Sequence, residues 1–231
     1  ITDITSLIGL PNLEYVELDF TPVPQSQVDQ LVGNGVGVWG NLITGARLDS
    51  LNFVDAELQD CVDQHASDYG WTYTDEVWYL DCNWRPISNL VDIGQLEGIQ
   101  GVGLSGINAT DFTPVADISS LMSFDAHENP EFDPTDLAAL VGHPTLISIG
   151  LNNADITDLT PLVSIPNFES LYISGPDVLD LTPLTQIPTF NTLGMPREQI
   201  SDISILNSLN LVHLTFSGNI YPGDIEVVEQ Q

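Results

Sequence analysis

The feature that most restricts what this chain can become is a phrase that returns every 22 residues. From position 156 the sequence runs ITDLTPLVSIPNFESLYISGPD, from 178 VLDLTPLTQIPTFNTLGMPREQ and from 200 ISDISILNSLNLVHLTFSGN, so apolar residues keep to the same columns. Ile1 opens the same phrase at the other end, as ITDITSLIGLPNLEYVELDF. Such self-similarity marks a unit that cannot bury its own apolar face and must stack on copies of itself.

The apolar pairs of the repeated core are Val16/Leu18, Val36/Val38, Leu80/Cys82, Val102/Leu104, Phe124/Ala126, Ile149/Leu151, Leu171/Ile173, Leu193/Met195 and Leu214/Phe216. Their first members lie 20, 44, 22, 22, 25, 22, 22 and 21 residues apart. Alternation over so short a stretch is the pattern of a half-buried strand, one per repeat. Each strand leads to a phrase such as Thr160-Pro161-Leu162, where Thr is expected to N-cap a short helical turn and Pro to take its first position. Leu159, Leu162, Ile165 and Phe168 then recur three apart, the spacing of a 3₁₀ or irregular helical face turned inward.

These columns, LxxLxL followed by a turn and ITDLTPL, resemble the bacterial leucine-rich repeats of the internalin type. The resemblance runs almost continuously from Ile87 to Asn219 and again from Ile1 to about Val38. It implies an α/β fold, a leucine-rich repeat solenoid with a concave parallel β-sheet and short 3₁₀ or irregular helices on the convex side. It also implies a secreted or surface-exposed bacterial protein that binds other macromolecules. Ser174-Gly175 and Pro196-Arg197 stand where the family's Asn follows the strand, and the repeat after Phe124 is longer than the others. The competing architecture is a parallel β-helix, which would need two or three strand-like faces per coil where this sequence offers one.

The columns vanish between Trp39 and Glu76, too long a stretch to lack structure of its own. A helix is expected there, with Asp55 as N-cap, Leu58, Cys61/Val62, Ala66 and Tyr69 on one face, and Gly70 ending the run. Placed just before the strand at Leu80, it reads as an internal α-helical cap over the exposed edge of a coil. The expected organisation is the C-terminal end of a first repeat block in 1–40, a linker and cap in 41–76, and a second block in 77–231. One continuous solenoid with an inserted helix is the alternative, since the gap of 44 is twice 22. The segment 220–228 reads like the start of a closing unit, and Ile1 lies inside a repeat, so the chain is expected to be cut from a longer tandem protein.

Cys61 falls on the apolar face of the cap helix and Cys82 on an inward position of the strand it covers. A disulfide joining cap to coil is one reading and two buried free thiols the other. The bond implies an oxidising compartment.

Thirty-three acidic residues against three Arg and no Lys leave a net charge of -30, which disfavours nucleic acid and anionic membranes and leaves a basic partner or a salt-adapted setting open. No apolar run is long enough for direct membrane insertion. Catalysis finds no foothold: His65, His127, His143 and His213 are scattered, and no nucleophile elbow, metal-protease or phosphate-cradling motif occurs, nor any cofactor signature. Asp3, Asp111, Asp158, Asp180 and Asp202, with Asn89, recur just before the helical turn. Acids there suit the amides of a helix start, and shared calcium is the functional alternative.

Strand residues beside the core pairs face the concave surface. Among them Tyr79, Asp125, His127, Tyr172 and His213 are the candidate ligand-binding anchors, because aromatic and ionic groups carry most interface energy. The expected function is a non-catalytic protein-recognition or adhesion module with a protein or glycan ligand. A polysaccharide lying on the glycine-rich middle, and a structural spacer, are the alternatives.

Overall fold

The computed structural model describes residues 3–19, 21–40, 42–43, 45–154, 156–174, 180–196 and 203–216. Asp202 and the closing unit expected at 220–228 lie outside the described residues.

The first part of the chain holds β1 (Tyr15–Glu17), β2 (Thr21–Pro22), α1 (Gln25–Gly33), β3 (Gly37–Trp39) and β4 (Leu42–Ile43). β1 pairs in parallel with β3, and β2 with β4. Leu18, Val23, Val28, Leu31 and Val36 close a small apolar cluster with Ile4. The expected equivalence of Val16 with Val36 is corrected by the register, which sets Val16 opposite Val38. Val36 is instead the buried residue leading into β3. Both valines are apolar, so the two alignments look alike in the sequence.

Helix α2 (Ala56–Tyr69) follows, started and stopped as its sequence dictates. Asp55 Oδ1 accepts from the amides of Glu57 (3.0 Å) and Leu58 (3.1 Å), and Gly70 takes the left-handed conformation (φ 72°) that ends the helix. Asp55 Oδ2 also accepts from the Ser88 amide, the Ser88 hydroxyl and the Asn89 amide, so one carboxylate ties the cap to the first coil. Burial alone would raise the Asp55 pKa, but these hydrogen bonds outweigh it and the pKa is lowered. Leu58, Cys61 and Val62 face the main core. Tyr69, expected on that face, is 66% exposed and stacks on Trp71, because it sits in the last turn, beyond the end of the core. Cys61 and Cys82 form a disulfide with their Cα atoms 5.8 Å apart.

Beyond the cap come β5 (Tyr79–Asp81), β6 (Gly101–Gly103), β7 (Ser123–Asp125), α3 (Pro134–Ala139), β8 (Ser148–Asn152), β9 (Ser170–Ser174), β10 (Thr192–Met195) and β11 (His213–Phe216). The seven strands form one sheet in chain order, parallel throughout. Leu80, Val102, Phe124, Ile149, Leu171, Leu193 and Leu214 fall opposite one another. All but Leu214, on the last strand, are fully buried. Burying a side chain of this size contributes about 1.5–3 kcal/mol, so the stack is the backbone of the fold's stability. One sheet with short 3₁₀ turns on the return arc is a leucine-rich repeat solenoid and excludes the β-helix.

Those turns, among them Thr113–Asp117, Thr160–Ser164 and Thr182–Gln186, point Val115, Leu162 and Leu184 into the core. Their capping corrects the sequence reading by one position. Thr is the first helical residue, Pro the second, and no Thr side chain caps. The cap comes from the acid two residues earlier: Asp111, Asp158 and Asp180 accept from the amides of Thr113, Thr160 and Thr182 at 2.8–2.9 Å. Asp3 does the same for Thr5, and Asn89 for Val91. The recurring acids therefore have a structural task in every described repeat. In the long repeat after Phe124 the 3₁₀ turn is replaced by α3, with Asp133 and Asp136 forming a reciprocal cap. Phe112, Phe124 and Phe132 fill the widened interior with ring centroids 5.3–6.5 Å apart.

Candidate functional site

Alternation along the strands turns one set of side chains into the core and leaves the other on the open face of the sheet. Two rows cross that face. The first is Tyr79, Gly101, Ser123, Ser148, Ser170, Thr192 and His213; the second is Asp81, Gly103, Asp125, Gly150, Tyr172, Gly194 and Thr215. Glycine occupies alternate places in the second row, so each larger side chain stands beside a dent.

Neighbours lean into those dents. The Tyr79 ring lies across Gly101, where a Cβ would be 2.5 Å from its Cδ2, and its hydroxyl reaches toward Gly103. Asp125 and His127 fold over Gly150, where a Cβ would stand 2.5 Å from Asp125 Oδ1 and 2.7 Å from His127 Nε2. At the edge of the row the chain turns through left-handed residues, Trp84 (φ 60°), Gly106 (φ 63°), Glu128 (φ 57°) and Asn153 (φ 59°). Trp84 lies flat on Gly106, which could carry no side chain there.

These arrangements leave a pocket of about 280 Å³ at the β5–β7 end, walled by Tyr79, Asp81, Asn83, Trp84, Asp125 and His127, with Ser105 at its base. Three candidate anchors, Tyr79, Asp125 and His127, meet in it. Tyr172 is two strands from Asp125 in the same row and close enough for the Asp125 charge to raise its pKa, after burial. His213 does not join them. It is exposed on β11, in the row of Tyr79 but six strands away, roughly 29 Å at strand spacing. Trp84 was missed, because it lies past the strand where the two-residue alternation no longer applies.

The electrostatics are dominated by Asp125. Burial and then the charge of Asp81 raise its pKa to about 6. Burial followed by Asp125 and Asp81 raises Tyr79 to about 12, so its hydroxyl keeps its proton. His127 is 3% exposed, and burial lowers its pKa. Its Nδ1 accepts from the Asn152 amide at 3.0 Å, which places the ring proton on Nε2. Nε2 lies 3.7 Å from Asp125 Oδ1, beyond hydrogen-bond range, and has no partner among the described residues.

Ser105, His127 and Asp125 are the residue types of a hydrolytic triad without its geometry. A triad needs the acid on one ring nitrogen and the nucleophile on the other. Here Nδ1 is held by the backbone, Nε2 faces the acid, and Ser105 Oγ accepts from the His127 amide. Among the described residues no group of three or more His, Cys, Asp or Glu side chains is arranged to hold a metal ion. No described helix is long and apolar enough to cross a membrane.

No family model matches the sequence, and no curated protein is similar to it at a significant level. Among solved structures, internalin C2 of Listeria monocytogenes superposes with a TM-score of 0.53 at 24% identity, covering 75% of this chain and 90% of that one. An internalin (InlF) of the same organism reaches a TM-score of 0.42 at 16% identity over 76% of this chain and 66% of its own. The functional domain of L. monocytogenes InlJ reaches 0.39 at 15% identity, over 93% of this chain and 55% of its own. The fold shared with internalin C2 is the internalin-like leucine-rich repeat solenoid.

Proposed function

We propose that this chain is a non-catalytic recognition module of a secreted or surface-exposed bacterial protein, docking a protein partner on the open face of β5–β11. The observation that carries the reading is the division of labour between the two sides of the sheet. One side is wholly consumed by the core, while the other presents two ordered rows of polar and aromatic side chains around a pocket that lacks catalytic geometry. Tyr172 and the pocket residues are the proposed anchors, with His213 at the far edge of the surface. The separate apolar cluster of the first part of the chain supports a division into the end of one repeat block, a cap and a second block.

The test is an array of purified proteins and glycans probed with this chain, each binder being re-measured with two variants. Tyr172→Ala alters the open face, and Gln186→Arg alters an exposed residue of a 3₁₀ turn on the opposite side. A protein ligand weakened at least tenfold by the first and unchanged by the second supports the reading. Loss confined to Gln186→Arg, or binders that are all glycans, overturns it.

A further inference from the structure

We infer that the pocket between β5 and β7 takes a single basic side chain of the protein partner, with its cationic head between Asp81 and Asp125 and against the ring of Tyr79. This deepens the docking proposal and rests on it for the source of that side chain.

The placement of the two acids comes first. Asp81 and Asp125 occupy the same row on either side of Gly103, which contributes no side chain of its own, so the only side-chain groups close above that glycine are the polar ends of Asn83 and Tyr79. Both line the pocket. A guanidinium offers donors in a planar fork, which suits two carboxylates approached from one side. Tyr79, packed over Gly101, also lines the pocket, and a cation is attracted to the face of such a ring by its quadrupole. At about 280 Å³ the pocket lies just under the usual range for drug-sized ligands, a size for one side chain and not for a whole small molecule.

A second observation is independent of the acids. His127 Nε2–H is buried and, among the described residues, unpartnered; the residue lines the pocket, with an Asp125 oxygen 3.7 Å from Nε2. A buried donor left unsatisfied is costly. It gains an acceptor if Asp125 is ionised and closes by about 0.8 Å to ordinary hydrogen-bond distance. Burial and Asp81 oppose that ionisation. A positive charge over the pocket reverses the balance by favouring ionised Asp125 beside Asp81, and so lets His127 pair.

The chain does not supply that charge from its described residues. It has no Lys; Arg47 is paired with Asp49, and Arg85 donates to Gln64. A neutral sugar could hydrogen-bond to the acids and stack on Trp84, but it would leave the two carboxylates facing each other uncompensated. The observations therefore favour a cation.

The test titrates the chain, isotopically labelled, with acetyl-Gly-Arg-Gly-amide, with the citrulline counterpart that removes only the charge, and with lactose. It is read by NMR at the Trp84 indole and the Ser105 and Asn152 amides. The arginine peptide should shift these resonances saturably and the citrulline peptide should bind at least tenfold more weakly. Asp125→Asn should weaken the arginine peptide at least tenfold. Glu97→Gln, the same charge change at an exposed site outside the pocket, should alter it less than twofold; melting curves establish that both variants fold. The groups facing Asp125 are Tyr79 and Asp81 of β5, His127 beyond β7 and Tyr172 of β9, so affinity should fall as Asp125 takes up its proton below pH about 6. Equal binding of arginine and citrulline, equal effects of Asp125→Asn and Glu97→Gln, or lactose alone shifting the pocket resonances would each overturn the inference. Because no partner protein enters this titration, its failure is distinct from failure of the docking proposal, which is read with Tyr172→Ala.

Discussion

Asp125 and His127 lie side by side across Gly150, with Oδ1 and Nε2 3.7 Å apart, and both depend on the absence of a side chain beneath them. Gly150→Ala would place a methyl 2.5–2.7 Å from both side chains, and His127, buried and held at Nδ1 by the Asn152 amide, has little room to give way. The expected cost is about 1–3 kcal/mol of folding stability, measured by urea denaturation, together with a changed Asp125 titration.

Asp125 also sets a pH dependence. Its pKa is about 6 in the folded chain and near 3.8 when exposed, so the folded state holds the proton more tightly and stability falls as pH rises between those values. The penalty is complete above about pH 6 and absent below about pH 4. Asp125→Asn should therefore stabilise at pH 7 by on the order of 2 kcal/mol, and the gain should vanish by pH 4. Thermal melts of both proteins across this range check the sign.

The Cys61–Cys82 bond closes a loop of 21 residues and joins α2 to the first strand of the main sheet. In the chain-entropy model such closure contributes about 3 kcal/mol. Reduction by a phosphine, or replacement of both cysteines by alanine, should lower the melting temperature by several degrees; non-reducing peptide mapping should recover the two cysteines as one linked species.

Leu193 is fully buried between Leu171 and Leu214. Leu193→Ala should cost about 2–5 kcal/mol, and Leu193→Asp should abolish cooperative unfolding of the main sheet by placing a charge in the stack. Calorimetry distinguishes the two.

With a net charge of -30, screening should raise the melting temperature over the first few tenths molar NaCl. Asp111, Asp158 and Asp180 already accept from backbone amides, so CaCl₂ at equal ionic strength should stabilise no more than NaCl. A much larger calcium effect would mean that these acids bind the ion.

The strand columns were legible because apolar residues opposite one another in a parallel stack must recur at the spacing of the repeat. Cys82 could be placed in those columns for the same reason, and Cys61 on the apolar face of α2 by its helical spacing. What failed was any distinction that apolarity does not carry. Val36 and Val38 are interchangeable to a hydropathy pattern, and only the register separates them. The acids before each turn were legible as partners of its amides, but that Thr is the first helical residue and not its cap depends on a one-residue offset in the backbone. In the candidate site, Tyr79, Asp125 and His127 were visible as polar residues on or just beyond strands, but their convergence depends on side chains leaning over Gly101 and Gly150. Trp84 enters through a left-handed backbone conformation that its residue type does not announce.

The repeat that carries α3 has one further consequence. Phe124 and Ile149 are 25 positions apart in the chain yet remain direct partners across adjacent strands, like Val102 and Phe124 at 22. The additional three residues are absorbed entirely on the return arc. Insertions and deletions can therefore accumulate on that arc while the pitch at which the opposite face displays its side chains stays constant. The two sides of such a chain are free to diverge at different rates, one in length and the other only in residue identity.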